Sequence, residues 1–191
     1  MTGAFDHVLV LLSFVYALAL THLLSRIGAL MLVRERVKFS GLLAIGMAIA
    51  VLMVFANWLS LWDIRGMREW DLFSVTTQFA FAVAIYFVCA LAAPEAGGED
   101  VIDMEAFYWR NRRVFYSALL ICFFLSLVVN AEFLETPNTT LFLKENIAVL
   151  PMIVATVLPL ATRARWAQWL GGVGMIVLVA GFAIAFDSTL H

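Results

Sequence analysis

Long apolar stretches separated by short polar punctuation run the length of the chain. Six such runs stand out, over about 5–33, 39–62, 72–93, 114–134, 143–161 and 166–186. Each is close to the roughly 20 residues a helix needs to cross a hydrocarbon layer about 30 Å thick. The expected fold is all-α, a polytopic membrane protein. It is read as one transmembrane domain over residues 1–191, a bundle of six transmembrane helices with short loops, with both termini on one side.

The first run, FDHVLVLLSFVYALALTHLLSRIGALMLV, differs from the rest in its polar content. At about 100° per residue, His22 and Arg26 lie about 40° apart, with Thr21 and Ser25 beside them and His7 close to Ser25 in azimuth. Together they form a polar arc of roughly 140°. Leu9, Leu12, Leu20 and Leu23 fall mainly outside it, where lipid or neighbouring helices suit them. A charged or titratable group in hydrocarbon costs roughly 2.5–3.5 kcal/mol on insertion scales, so such groups face a bundle interior, a wet cavity or a partner. The arc is therefore a candidate binding site. A plainer reading stands beside it. The run is about 43 Å long as a helix, longer than the slab, so Arg26 can snorkel to the headgroups and His22 can be satisfied by a backbone carbonyl or Ser25.

The second run carries Gly46, Ala50, Asn57 and Ser60 at helical spacing, the pattern of close helix packing with Asn57 hydrogen-bonding across it. Trp58 and Trp62 fit an interfacial aromatic belt. In the third run Thr76, Thr77 and Gln78 lie near the start, and Gln78 either faces the interior with Asn57 or caps the helix in water. The fourth run shows Cys122, Ser126 and Asn130 as one narrow polar stripe, with Glu132 about 200° round from Asn130 and expected at a wet rim beside Glu135. Pro151 in the fifth run obstructs the carbonyl of Ile147, so a kink or break is expected. Broken helices line sites in transporters, and proline is also simply frequent in membrane helices. Gly171, Gly174, Gly181 and Ala185 in the sixth run predict tight backbone approach.

The longest loop begins with Pro94, Gly97 and Gly98, which break a helix. Asp100 and Asp103 then suit a helix N-terminus, and Ile102, Phe107, Tyr108 and Trp109 suggest an interfacial helical segment running into the fourth span. The loop over 63–71 reads as a short solvated turn. Laying the first three runs on the last three gives no convincing internal repeat.

Composition supports the membrane reading. Of 191 residues 64% are hydrophobic and only 14% charged, against about 45–50% and about 25% in soluble domains. The division of charge matters more than its total. Arg34, Arg36, Lys38, Arg110, Arg112, Arg113, Arg163 and Arg165 fall in or beside the odd-numbered loops, whereas the even-numbered loops hold Arg65, Arg68 and Lys144. The positive-inside rule places the odd loops in the cytoplasm and the N- and C-termini on the periplasmic or extracellular side. The arginines before the fourth span would suit anionic headgroups. No nucleic-acid surface is expected.

The opening MTGAFDH lacks the basic region and cleavage site of a signal peptide, so the first helix is expected to be retained as a span. Cys89 and Cys122 fall inside spans, where cysteine behaves as a small hydrophobe, and their spacing suggests neither a disulfide nor a metal site. Asn138 heads a formal glycosylation sequon, meaningful only in a glycosylating secretory pathway. HExxH, GxSxG and P-loop motifs are absent. His7 and His22 lie about 22 Å apart along one helix, too far to share a haem iron, and His191 is remote in sequence. No cofactor or metal is expected, and the balance is against an enzyme.

The stretch FDHVLVLLSFVYALALTHLLSRIG, with its Thr21-His22-Leu23-Leu24 core, the basic turn after it and the NWLSLW end of the second run, resembles a group of uncharacterised small bacterial multi-pass inner-membrane proteins. The resemblance implies a bacterial inner membrane and no particular activity. The leading expectation is a small transporter or channel-like protein. Its site would gather His22, Arg26, Thr21 and Ser25 with Asn57, Gln78, Ser126 and Asn130, taking a small polar or anionic solute. Arg26 would attract the anionic group, and His22 would switch charge near neutral pH. The alternative is a structural or accessory subunit of a membrane complex, packed against a partner that carries the activity; a membrane enzyme or a quinone- or haem-binding subunit is a third. The partners expected beside the lipid bilayer are another copy, in a homo-oligomer, or a membrane partner protein.

Overall fold

A computed structural model describes residues 4–61, 71–97, 100–132 and 139–187. Trp62, the charged loop residues Asp63, Arg65, Arg68 and Glu69, and Gly98, Glu135, Asn138 and His191 lie outside the described residues. The helices are α1 (Ala4–Leu32), α2 (Gly41–Ser60), α3 (Leu72–Ala92), α4 (Met104–Glu132), α5 (Thr139–Glu145), α6 (Val149–Ala161) and α7 (Arg165–Asp187), with β1 (Val37–Lys38) and β2 (Ile102–Asp103) in the loops. The protein is an all-α bundle, and α1, α2, α3, α4 and α7 are each long and apolar enough to cross a membrane.

The fifth predicted run departs from a single span. It is divided into α5 and α6, with a break at 146–148 just before Pro151. A proline two residues into α6 has no N–H to give to the carbonyl of Ile147, and its ring crowds that carbonyl. Asn146 fills the break. It is 1% exposed, its Nδ2 donates to Phe142 O, and its backbone carbonyl accepts from Val149 N and Leu150 N. The helical segment expected to run into the fourth span is present as the first turns of α4, which begins at Met104 and continues without interruption to Glu132. Asp103 starts it, accepting the Ala106 N–H on its carboxylate at 2.8 Å.

Neighbouring helices form a closed ring in the order α1, α3, α4, α6, α7, α2, with α2 also touching α3 and α4 across the middle. Burial follows from this. Ile49, Ala50, Ile85, Val88, Cys89, Leu119 and Cys122 are completely covered where α2, α3 and α4 meet. The closest approaches occur at glycine. A Cβ on Gly171 would stand 2.5 Å from Pro159 Cγ and 2.7 Å from the Ala155 carbonyl oxygen, and one on Gly172 would stand 2.7 Å from Ile45 Cγ2. Gly174 and Gly181 have nothing within 4 Å of that position, so the expected glycine stripe is a contact only at its beginning.

The odd loops gather at one end of the bundle. β1 pairs in parallel with β2, setting Val37 opposite Ile102 and Lys38 opposite Asp103. Lys38 Nζ bonds Asp103 Oδ2 at 2.7 Å, and Arg165 bonds Glu105 at 2.5 Å. The loops after α1, α3 and α6 thus make one basic end.

Candidate functional site

A helix leaves its last carbonyls without intrahelical donors, and at the basic end of this bundle side chains supply them. The Ala90 carbonyl of α3 would ordinarily accept from residue 94, which is Pro94 and has no N–H. Arg26 of α1 takes that place, its Nη1 donating to Ala90 O at 3.0 Å and to Ala93 O at 2.8 Å. The arginine that the sequence marks as a solute ligand is thereby engaged on backbone, tying α1 to the end of α3.

The rest of the α1 polar arc divides. The buried face of α1 runs through Val8, Leu12, Tyr16, Ala19, Leu23 and Leu30. His22 and Arg26 lie on its flank and are half-buried, but Thr21 and Ser25 are exposed on the outside of the bundle. At about 100° per residue they stand about 180° and about 140° from the centre of the buried face. These six positions, five aliphatic and one tyrosine, recur at helical spacing and win the interior. His22 Nε2 is buried without a hydrogen-bond partner, and its ring is tilted against Tyr86 of α3 with centroids 5.9 Å apart.

Among the described residues, no hydrogen bond joins the amides of Asn57, Gln78 and Asn130 to one another. Asn57 Nδ2 donates to Met53 O of its own helix rather than across to another, and its carbonyl accepts from Ser60 Oγ. Gln78 is buried, 4% exposed, while the cap of α3 is Asp71, which accepts from Ser74 N at 2.8 Å. Ser126 is half-buried on α4. Asn130 Nδ2 donates to Asn146 Oδ1 at 2.6 Å, locking α4 to the break before α6. Glu132, expected at a wet rim, instead has both carboxylate oxygens buried and without hydrogen-bond partners, although Val114, Ile121 and Val128 on the side of α4 away from Asn130 are exposed.

The most developed polar cluster lies where α4, α6 and α7 meet. Arg112 of α4 is 2% exposed, and its Nη1 donates to Pro159 O and to Thr162 O at 3.1 Å, with Leu160 O at 3.5 Å. Gln168 of α7, 0% exposed, donates Nε2 to the same two carbonyls, Pro159 O at 3.1 Å and Thr162 O at 2.6 Å. Its Oε1 accepts from Tyr108 Oη at 2.6 Å, and Tyr108 Oη lies 3.5 Å from Tyr116 Oη. The Arg112 guanidinium also stands over the Trp109 ring at 5.8 Å. The Pro159 and Thr162 carbonyls, at the C-terminal end of α6, are each met from two other helices, α4 and α7.

Sequence reading takes Arg112 as one headgroup arginine among three and passes over Gln168 and Asn146. A glutamine inside the first turns of an apolar run, and an asparagine five residues before a proline, are the signals that point to them. Chemically the cluster binds helix ends. Beside it lies a cleft of about 10 Å³ between Gly46, Ala92, Tyr108, Arg112 and Phe115, room for about one water. Among the described residues no three His, Cys, Asp or Glu side chains converge as metal ligands. No protein family, curated protein or solved structure matches the chain.

Proposed function

We propose that the protein is an accessory subunit of a bacterial inner-membrane complex, a helical bundle that supplies structure and contact surface rather than a solute path of its own. The observation that carries this reading is the use of the polar groups that lie between its helices. Arg26, Arg112 and Gln168 all end on backbone carbonyls of neighbouring helix ends, where a transport site would leave them open to solute. The contact surface falls to α1, the least covered of the five spans, of which 28% is buried within the chain against 33% of α4 and α7 and 56% of α2. Its outward Thr21 and Ser25 offer the small hydroxylated positions that pack and hydrogen-bond between membrane helices. Gathering of the basic loops at one end supports a cytoplasmic placement of that end, with periplasmic termini.

The test is purification in mild detergent from native membranes with a photo-crosslinking residue at Thr21 or Ser25, and at the exposed Val154 of α6 as control. A stoichiometric partner protein, cross-linked from α1 and not from Val154, is expected. No partner, or adducts with another copy of this chain alone, overturns the assignment.

A transport reading rests on a different observation, the unpartnered Nε2 of His22 beside Tyr86, one turn from Arg26. It requires that the purified protein carry a small anionic solute into liposomes, that flux follow a histidine titration, and that Arg26→Leu abolish it in a folded variant.

A further inference from the structure

We propose that Arg113 and Arg163 bind the phosphate of an anionic phospholipid headgroup above the buried Arg112, at the junction of α4 with the end of α6.

The argument starts from uncompensated charge. Arg112 is covered by the chain, and its acceptors are carbonyls at a helix C-terminus. Those carry about half a negative charge in total. Arg113 and Arg163 are both exposed and flank this junction: Arg113 follows Arg112 on α4, and Arg163 follows Thr162, whose carbonyl Arg112 bonds at 3.1 Å. Three guanidiniums therefore face about half a unit of negative charge from the chain. Two acids of this end are engaged elsewhere, Asp103 by Lys38 and Glu105 by Arg165. Glu35, Glu95 and Asp100 are exposed in the loops and make no salt bridge to Arg113 or Arg163 among the described residues. A covered cation is costly unless an opposite charge reaches it, and the missing partner is an anion.

Depth identifies its source. Trp166 is 66% exposed and Trp169 46% exposed at the start of α7, and Phe39 is 72% exposed just before α2. The Trp169 ring reaches Gly41, so these aromatics share one end of the bundle. Exposed aromatic residues at one level of a membrane protein mark the interface. Arg163 lies three residues before Trp166, and Arg113 lies one residue past Arg112, which sets both at the level of the headgroups. Guanidinium groups suit phosphate oxygens in a paired geometry.

The experiment uses full-length protein stripped of lipid and offered three probes: phosphatidylglycerol, phosphatidylcholine and inorganic phosphate. Native mass spectrometry counts retained lipid, and thermal unfolding reads stabilisation. Wild type is expected to retain one phosphatidylglycerol in preference to phosphatidylcholine. R113Q/R163Q is expected to bind it about 30-fold more weakly, at the roughly fivefold that each membrane-surface arginine contributes. The control is R34Q/R110Q, which removes the same charge from the same end and is expected to keep the bound lipid. Equal loss in both double variants would reduce the effect to diffuse attraction and overturn the site. Stabilisation by inorganic phosphate equal to that by phosphatidylglycerol would assign it to free phosphate and overturn the headgroup.

Discussion

Arg112 of α4 and Gln168 of α7 converge on the same two carbonyls, those of Pro159 and Thr162. Neither helix follows the other in the chain, yet both are fastened to the end of α6. This shared set of acceptors makes the two side chains energetically coupled. Arg112→Leu leaves Gln168 to serve both carbonyls and is expected to cost about 2–4 kcal/mol, the range for breaking buried charged hydrogen bonds. Gln168→Leu is expected to cost less. The double variant leaves both carbonyls without donors and should cost more than the two singles together. Thermal unfolding in detergent across the four proteins measures the coupling.

Close backbone approach makes a second prediction. Gly171→Ala places a methyl 2.7 Å from the Ala155 carbonyl oxygen. That oxygen is backbone and has lost its donor to Pro159, which lacks an N–H, so α7 must move away from α6. A loss of about 1–3 kcal/mol is expected for such overpacking. Gly174→Ala and Gly181→Ala, with open space at the same point, are expected to leave the unfolding temperature unchanged or slightly raised.

The clasp between β1 and β2 should depend on pH. The Lys38 ammonium and the Ala106 N–H hold the Asp103 carboxyl below its ordinary range, and Asp103 in turn raises Lys38. Because the folded-state value of Asp103 is lowered, its contribution is present above about pH 3.9 and is lost as pH falls through the lowered value. Because that of Lys38 is raised, its contribution is complete below about pH 10.4 and is lost only as pH rises through the raised value. The clasp is thus expected to hold across the neutral range and to loosen in acid. Amide exchange at residues 102–106, corrected for its intrinsic pH dependence, should accelerate as pH falls below about 4, and Asp103→Asn should remove that step.

Glu132 supplies a prediction of opposite sign. Its two carboxylate oxygens are buried and without hydrogen-bond partners, and polar atoms held that way are unfavourable. Glu132→Leu replaces them with apolar atoms of similar bulk. It is expected to raise the thermal midpoint measured at neutral pH, whereas substitution of a solvated rim carboxylate would leave it unchanged.

The sequence by itself determined the class of fold, since continuous apolar runs near 20 residues have few stable arrangements other than helices packed in a membrane. It also determined the break in the fifth run, because Pro151 removes a donor wherever the helix goes. The gathering of charge was legible only in part. The arginines could be assigned to alternate loops from their spacing, but not to particular partners. Helical periodicity groups residues on one helix and says nothing of which way that helix turns, and so it joined Thr21 and Ser25 to His22 and Arg26. Tertiary packing set that rotation. The apolar face of α1 from Leu12 to Leu30 occupied the interior, Arg26 was left at the edge within reach of Ala90, and Thr21 and Ser25 were turned outward. The same holds for Arg112 and Gln168, 56 residues apart in sequence. They meet because α4 and α7 both pack on α6, a neighbourhood fixed by the fit of whole helix surfaces and written in no local pattern.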